Sequence, residues 1–246
     1  QMLDRVQDEG WLDIRGVCGF WPAASVGDDI ELYTDETRSE VLFTWRGLRQ
    51  QTAKREGVAN KCLSDFIAPK TLDGRASGIE DWIGMFAVTA GIGADKKEKE
   101  FIALLDDYSA IMFKAIADRL AEAFAECLHA RVRRDLWGYA ADERLSNDDL
   151  IHERYQGIRP APGYPACPEH TVKRAMFDAM RCEEIGMTLT DSLAMQPAAS
   201  VSGFYLAHPG SHYFAVGPIG EDQFADYAAR AGRDEAELRR SLGSLL

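Results

Sequence analysis

The sequence predicts an α+β protein, with a mainly antiparallel twisted sheet and long helices packed around it in a single domain of residues 1–246. Three observations predict this class. Strand patterns follow one another early in the chain, helical periodicity dominates the middle, and the two do not alternate in the regular rhythm of a parallel sheet. The composition, 46% hydrophobic and 28% charged, is that of a globular protein with a sizeable core.

The first part of the chain predicts an antiparallel meander. A short helix ends near Gly10, and strand-like residues punctuated by glycines occupy 14–22. After a turn at 27–29, polar and apolar residues alternate over 29–33, and another strand pattern follows at 41–45. These strands are joined by turns, so we expect neighbours in sequence to pair.

The middle of the chain predicts one buried strand and the longest helix. Residues 63–68 fit either a helix or a strand, and 71–78 read as a polar loop. The apolar run 84–91 lies between glycines and predicts a buried strand. Over 101–128, apolar residues recur at helical spacing, which predicts one long helix or two in near continuation.

The last hundred residues predict shorter elements. An N-cap pattern with an acid three residues later starts a helix, and proline and glycine between strand-like segments indicate a hairpin. The predicted elements are a helix from Ser146 to Gly157, a helix over 169–184 ended by Gly186, a hairpin of 201–206 with 213–216, and a helical tail from Glu221 broken at Gly232.

The composition disfavours several classes of function. A net charge of −12 leaves no basic excess for binding nucleic acid. The longest apolar runs are far shorter than the roughly 20 residues of a membrane span, and no signal segment opens the chain, so we expect a cytoplasmic protein without membrane contact. The five cysteines are scattered, which favours reduced thiols, and no metal site is predicted.

The least ordinary segment is 158–170, which contains four prolines, one glycine, an arginine and a tyrosine. Each proline fixes φ at about −65° and removes an N–H, so we expect a stiff, largely extended loop. This loop is either a rigid linker or polyproline ligand, or one preformed wall of a binding site. In the second case Arg159 is well placed to bind a carboxylate with two hydrogen bonds.

Three acidic residues lie four apart on the predicted long helix: Asp118, Glu122 and Glu126. They share one face, away from an apolar stripe formed by Met112, Ile116, Leu120 and Phe124. This face is either solvated or directs carboxylates at a cationic group such as an amine or a sulfonium.

The chain begins with Gln1 in residues that read like the middle of a helix, so we expect a fragment of a longer protein.

Residues 156–170 resemble the signature of the C-terminal activation domain of cobalamin-dependent methionine synthase. Further matches follow in the same order at 26–30, 35–38, 48–52, 117–126, 137–139 and 199–203. Motifs in one order over nearly the whole chain make this resemblance specific. It also implies that the family's domain extends further toward its N-terminus, where another acidic residue contacts the ligand.

The resemblance implies binding of S-adenosylmethionine and support for the reductive methylation of cob(II)alamin to methylcobalamin, which reactivates methionine synthase. Arg159 would pair with the ligand carboxylate, Glu122 with its ammonium or ribose, and the backbone of 161–163 with adenine, while Tyr164 faces the corrin. The implied ligand contacts are Asp118, Glu122, Arg159, Ala161, Gly163, Tyr164, Tyr213 and Phe214, of which Phe214 is often tyrosine in the family. No catalytic acid or base is implied.

The implied partners are the cobalamin-binding domain of the same enzyme and a flavodoxin or similar reductase. Because flavodoxins are acidic, docking needs a local basic patch. The candidates are Arg131, Arg133 and Arg134, or Arg46, Arg49, Lys54 and Arg55. We expect the isolated domain to bind S-adenosylmethionine without catalysing a reaction alone. The alternatives are a docking module that does not bind this ligand, or a stand-alone methyltransferase that turns over without cobalamin.

Overall fold

A computed structural model describes residues 2–243 and 245–246. The elements along the chain are α1 (Met2–Asp8), β1 (Asp13–Val26), β2 (Asp29–Tyr33), β3 (Val41–Trp45), β4 (Thr71–Leu72), β5 (Arg75–Ala76), β6 (Asp81–Ile92), α2 (Ala94–Ala103), α3 (Asp107–Arg131), α4 (Asn147–Ile151), α5 (Val172–Met180), β7 (Thr188–Leu189), β8 (Met195–Gln196), β9 (Ser200–Tyr205), α6 (Glu221–Ala231) and α7 (Glu235–Ser241). Short 3₁₀ segments lie at Leu63–Phe66 and Cys182–Ile185, and a π-helical turn at Val132–Leu136 follows α3.

The main sheet has five strands in the order β3-β2-β1-β6-β9. β2 pairs antiparallel with both of its neighbours, with Ala23 of β1 opposite Leu32 and Trp45 of β3 opposite Ile30. The turn between β1 and β2 contains Gly27 at a φ of 61°, which glycine adopts without strain. The predicted α+β class and the antiparallel meander are therefore confirmed.

The described residues form two compact units. Unit 1 comprises the described part of Gln1–Gly19 together with Met85–Glu143 and Lys173–Gly203, and unit 2 comprises Phe20–Gly84, Arg144–Val172 and Phe204–Leu246. Strands β1, β6 and β9 contribute residues to each unit. The prediction of a single domain over 1–246 stays a prediction.

Each unit has an apolar cluster of its own. In unit 1, Trp11 lies edge-on to Phe101 and Phe113, with ring centroids 5.7 and 5.9 Å apart. In unit 2, α6 and α7 pack onto the segment after β9 through the buried residues Leu48, Val216, Ile219, Phe224, Tyr227, Ala228, Leu238 and Leu242. This second cluster positions the chain between β9 and α6, which carries two of the predicted ligand residues.

The long periodic segment forms two helices, as one of the two alternatives predicted, but its buried face differs from the prediction. Leu105 and Ile111 are 90% and 70% exposed, whereas Phe113 and three alanines at 117, 121 and 125 are buried. The expected stripe is only half-buried. Helix α3 lies close to β1, since a Cβ on Gly16 would lie 2.9 Å from the Phe124 ring.

Four other boundaries correct the prediction. The polar loop at 71–78 contains the short hairpin β4–β5, and α4 ends at Ile151 rather than near Gly157. The helix predicted over 169–184 is interrupted at Arg181, whose φ is 54°, and resumes as a 3₁₀ turn. Residues 213–216 do not form a strand, so the predicted hairpin is wrong.

Within residues 2–243 and 245–246, no helix is long and apolar enough to span a bilayer. The same residues contain no group of three or more His, Cys, Asp and Glu side chains that could hold a metal ion.

Candidate functional site

The proline loop, residues 158–170, begins as an extended strand-like segment in unit 2. Ile158 exchanges backbone hydrogen bonds with Leu206, each 3.0 Å long, and the Phe204 amide donates to the Pro160 carbonyl at 2.9 Å. Proline lacks an N–H but keeps its carbonyl, so Pro160 can accept at this edge without leaving a donor unpaired. The predicted extended conformation is confirmed for this first part of the loop.

The second part of the loop folds into two tight turns, so the prediction of a largely extended loop is wrong there. The Tyr164 amide donates to Ala161 at 3.1 Å, and the Cys167 amide donates to Tyr164 at 2.9 Å. The Gly163 amide donates to Cys167 at 2.7 Å. Gly163 has a φ of 95°, and a Cβ there would lie 2.0 Å from His170 Cε1, so glycine is strongly favoured in this turn.

Arg159 is held at both its backbone and its side chain. Its amide donates to the Tyr213 hydroxyl at 2.9 Å, and its Nη1 donates to the Tyr155 hydroxyl at 2.8 Å. Its guanidinium carbon also lies 5.9 Å from the centre of the Tyr155 ring. The structure therefore brings together Arg159 and Tyr213, two residues that the sequence separates by 54 positions.

Tyr213 and Phe214 are positioned by hydrogen bonds from outside their own segment. The Val216 amide donates to the Pro165 carbonyl at 2.8 Å, and the Gln50 side chain donates to the Ala215 carbonyl at 2.7 Å. These long-range bonds replace the ladder of the hairpin that the sequence predicts. Desolvation by burial raises the pKa of the Tyr213 phenol, although 38% of the residue surface is exposed.

Tyr164 lies in an exposed part of the loop, and 60% of its residue surface is exposed. An exposed tyrosine on a rigid turn can contact a second molecule without first moving the loop. Ala161 is half-buried, and its amide makes no hydrogen bond to any residue that the structure describes. An amide of this kind is a donor that a ligand can use.

The predicted acidic residues lie in unit 1, on α3. Asp118 and Glu122 are exposed, and Glu126 is half-buried. The exposed positions agree with a face turned away from the core, but their part in ligand binding stays a prediction. An open groove of about 670 Å³ in the same unit is lined by residues that include Arg15, Asp95 and Thr190, and no predicted ligand residue lines it.

Several arginines of the predicted basic patches are paired within the protein. Arg46 binds the buried Asp29 at 2.6 Å, and Arg49 binds Asp28 and Asp65, each at 2.7 Å. Arg133 is fully buried against Glu143 at 2.8 Å, so its assignment to an exposed patch is wrong. Four of the seven predicted basic residues, Arg131, Arg134, Lys54 and Arg55, are exposed.

The chain is similar in sequence and in structure to known proteins. Residues 1–232 match the family described as vitamin B12 dependent methionine synthase, activation domain. The chain is also similar to a crystal structure of the MetH reactivation domain bound to AdoHcy, with 55% sequence identity and a TM-score of 0.93. The match covers 100% of this chain and 74% of that chain.

Proposed function

The chain belongs to the family of vitamin B12-dependent methionine synthase activation domains, and from this premise we propose that it binds S-adenosylmethionine for reductive methylation of the enzyme's cobalamin. AdoHcy, which the related reactivation domain binds, is the product of methyl transfer from S-adenosylmethionine, and the match to that domain covers 100% of this chain. Cobalamin is held by another domain of methionine synthase and, when bound there, accepts the methyl group. The work of this chain is to bind and orient the methyl donor.

The observation that carries this proposal is the fixed position of Arg159. A guanidinium held by Tyr155 and a backbone amide held by Tyr213 keep the side chain in one place before a ligand arrives. The residue is half-buried, so a ligand can reach it while the protein partly shields the pair from water. A carboxylate such as the methionyl carboxylate of S-adenosylmethionine is the group that arginine binds best in this way.

The other loop residues have distinct roles in the proposed site. The Ala161 amide donates to the adenine edge, whereas the Gly163 amide is used within the loop and contributes through its conformation. Tyr164 presents its exposed ring toward the cobalamin. Tyr213 and Phe214 line the same wall, and we retain Asp118 and Glu122 as the predicted partners of the ammonium and ribose groups.

Titration calorimetry with S-adenosylmethionine tests the proposal. We expect saturable binding that Arg159→Ala weakens by about 10- to 150-fold, because a hydrogen bond to a charged group contributes about 1.5–3 kcal/mol. Arg75→Ala is the matched control, since Arg75 is an exposed arginine of the same unit outside the loop. Absence of saturable binding, both in this chain and in one extended at its N-terminus, would overturn the proposal.

We propose further that the domain does not turn over alone and that a flavodoxin-type protein supplies the electron. The first part predicts no methyl transfer from S-adenosylmethionine when cobalamin is omitted, and turnover without cobalamin would contradict it. For the second, the remaining exposed basic residues offer two sites for an acidic donor. One double variant reverses the charges of Arg131 and Arg134, and a second reverses those of Lys54 and Arg55. Only the variant whose residues lie in the docking site should weaken the salt-dependent binding of flavodoxin.

A further inference from the structure

Tyr155 lies just before the proline loop, four residues ahead of Arg159, and contacts that arginine in two ways. Its hydroxyl accepts a hydrogen bond from Arg159 Nη1 at 2.8 Å, and its ring lies 5.9 Å from the guanidinium carbon. Tyr155 is half-buried in the turn that follows α4. The sequence alone does not single out Tyr155, because a tyrosine after a helix has many structural roles.

Tyr155 is also hydrogen-bonded to the Tyr213 phenol. Tyr213 accepts a second hydrogen bond from the Arg159 amide at 2.9 Å. The three residues therefore form a closed ring, in which one tyrosine holds the guanidinium, the other holds the backbone of the same arginine, and the two phenols are joined.

The number of protons on the two phenols sets the direction of the hydrogen bonds among the three residues. A phenol has one proton to donate and two lone pairs to accept with. The Tyr155 oxygen accepts from the guanidinium, which cannot accept in return, so the Tyr155 proton is directed to Tyr213. The Tyr213 oxygen then accepts from both neighbours, so its own proton is not used among these three residues.

We propose that Tyr155 is a positioning residue that makes the site selective for ligands carrying a carboxylate. It does so by holding the Arg159 guanidinium in the orientation that binds the methionyl end of S-adenosylmethionine. This inference rests on the proposed function. An arginine that is already ordered loses less rotamer freedom on binding, which corresponds to roughly two- to tenfold in affinity.

The test compares two ligands in the Tyr155→Phe variant, which keeps the ring and removes the hydroxyl. S-adenosylmethionine has the carboxylate, and 5′-methylthioadenosine has the same adenosine and sulfur without the amino-acid end. We expect the variant to bind S-adenosylmethionine two- to tenfold more weakly and methylthioadenosine with unchanged affinity. Tyr33→Phe is the control, since its phenol, in the same unit, bonds Glu31 at 2.7 Å and should affect neither ligand.

A second measurement uses the Arg159→Ala background. If Tyr155 acts through Arg159, adding Tyr155→Phe there should leave the affinity for S-adenosylmethionine unchanged. Equal weakening of both ligands, an unchanged affinity for both, or loss of the thermal unfolding transition in Tyr155→Phe would each overturn the positioning role. Those outcomes leave the proposed function standing if the unsubstituted protein binds S-adenosylmethionine, and only failure of that binding removes both.

Discussion

Replacing Gly163 by alanine tests whether the tight second half of the proline loop is needed for binding. Gly163 has a φ of 95°, and strain of this kind at a residue with a Cβ costs about 1–3 kcal/mol. The added Cβ would lie 2.0 Å from His170 Cε1, about 1.5 Å short of an ordinary carbon contact. The exposed His170 ring can move aside, so backbone strain is the larger part of the destabilisation.

We therefore expect Gly163→Ala to lower the free energy of unfolding by about 2 kcal/mol, equivalent to about 4–8 °C in the thermal midpoint. Gly57→Ala is a matched control, because Gly57 has a φ of 81° and no atom lies within 4 Å of its added Cβ. Urea unfolding should show similar destabilisation for both variants. Calorimetry should show weaker S-adenosylmethionine binding, by about tenfold or more, only for Gly163→Ala.

The contribution of His170 can be separated from that of the backbone. Adding His170→Ala to Gly163→Ala removes the close contact but leaves the strained φ, so part of the affinity should return while the stability does not. Ligand affinity in Gly163→Ala equal to that of the unsubstituted protein would refute the reasoning that the loop geometry forms the binding wall.

Three further predictions concern other parts of the chain. Glu143→Gln removes the carboxylate that binds the buried Arg133 at 2.8 Å, so the free energy of unfolding in urea should fall by about 3–5 kcal/mol, and a change below about 1 kcal/mol would contradict this. Burial raises the pKa of Cys62 to about 11 and of Cys182 to about 12, from 9.0. As the pH rises, the unfolded chain loses these thiol protons before the folded chain does. The contribution of the two thiols to the free energy of unfolding is therefore fully present below pH 9 and should be lost between about pH 9 and 12. Urea unfolding midpoints measured over this range should fall, and they should fall less steeply in Cys182→Ala. Glu122 is exposed, so Glu122→Gln should weaken S-adenosylmethionine binding without changing the thermal midpoint, and loss of the thermal transition would make it a structural residue.

The strands were the most predictable part of the fold. Strands β2 and β3 occupy the same residues as the predicted segments 29–33 and 41–45, and β6 contains the predicted run 84–91. These segments combine strand-forming residues with turn residues on either side, and both signals lie within the segment itself. Local sequence was therefore enough to predict these three strands.

The buried face of α3 could not be predicted in the same way. Periodicity gives weight to large apolar residues, but the helix buries Ala117, Ala121 and Ala125 and leaves Ile111 70% exposed. The approach of α3 to β1 involves the Phe124 ring, which would lie 2.9 Å from a Cβ on Gly16, a residue more than a hundred positions earlier in the chain. Sequence patterns on one helix do not contain that information.

The candidate site was predictable only where the resemblance named its residues. It identified Arg159 and Tyr213, which the structure joins by a hydrogen bond of 2.9 Å. It gave no role to Tyr155, or to Gln50 within the matched run 48–52, because the roles of both come from bonds to other segments of the chain. Gln50 and Ala215 are 165 positions apart, and no local signal in either segment indicates their contact.

These contacts separate two kinds of residue within the matched motifs. Gln50 donates to Ala215 and accepts from the Lys61 amide, so it joins two segments of the protein and has no need of a ligand to explain its presence. Arg159 donates its amide to Tyr213 and its Nη1 to Tyr155, and these bonds hold it in position for the proposed ligand. Replacing a residue whose bonds maintain the fold changes stability and ligand binding together. Replacing a residue that is only held in position changes ligand binding far more than stability. The proposed ligand site therefore depends on both kinds of residue, and the ratio of the change in binding to the change in stability distinguishes them.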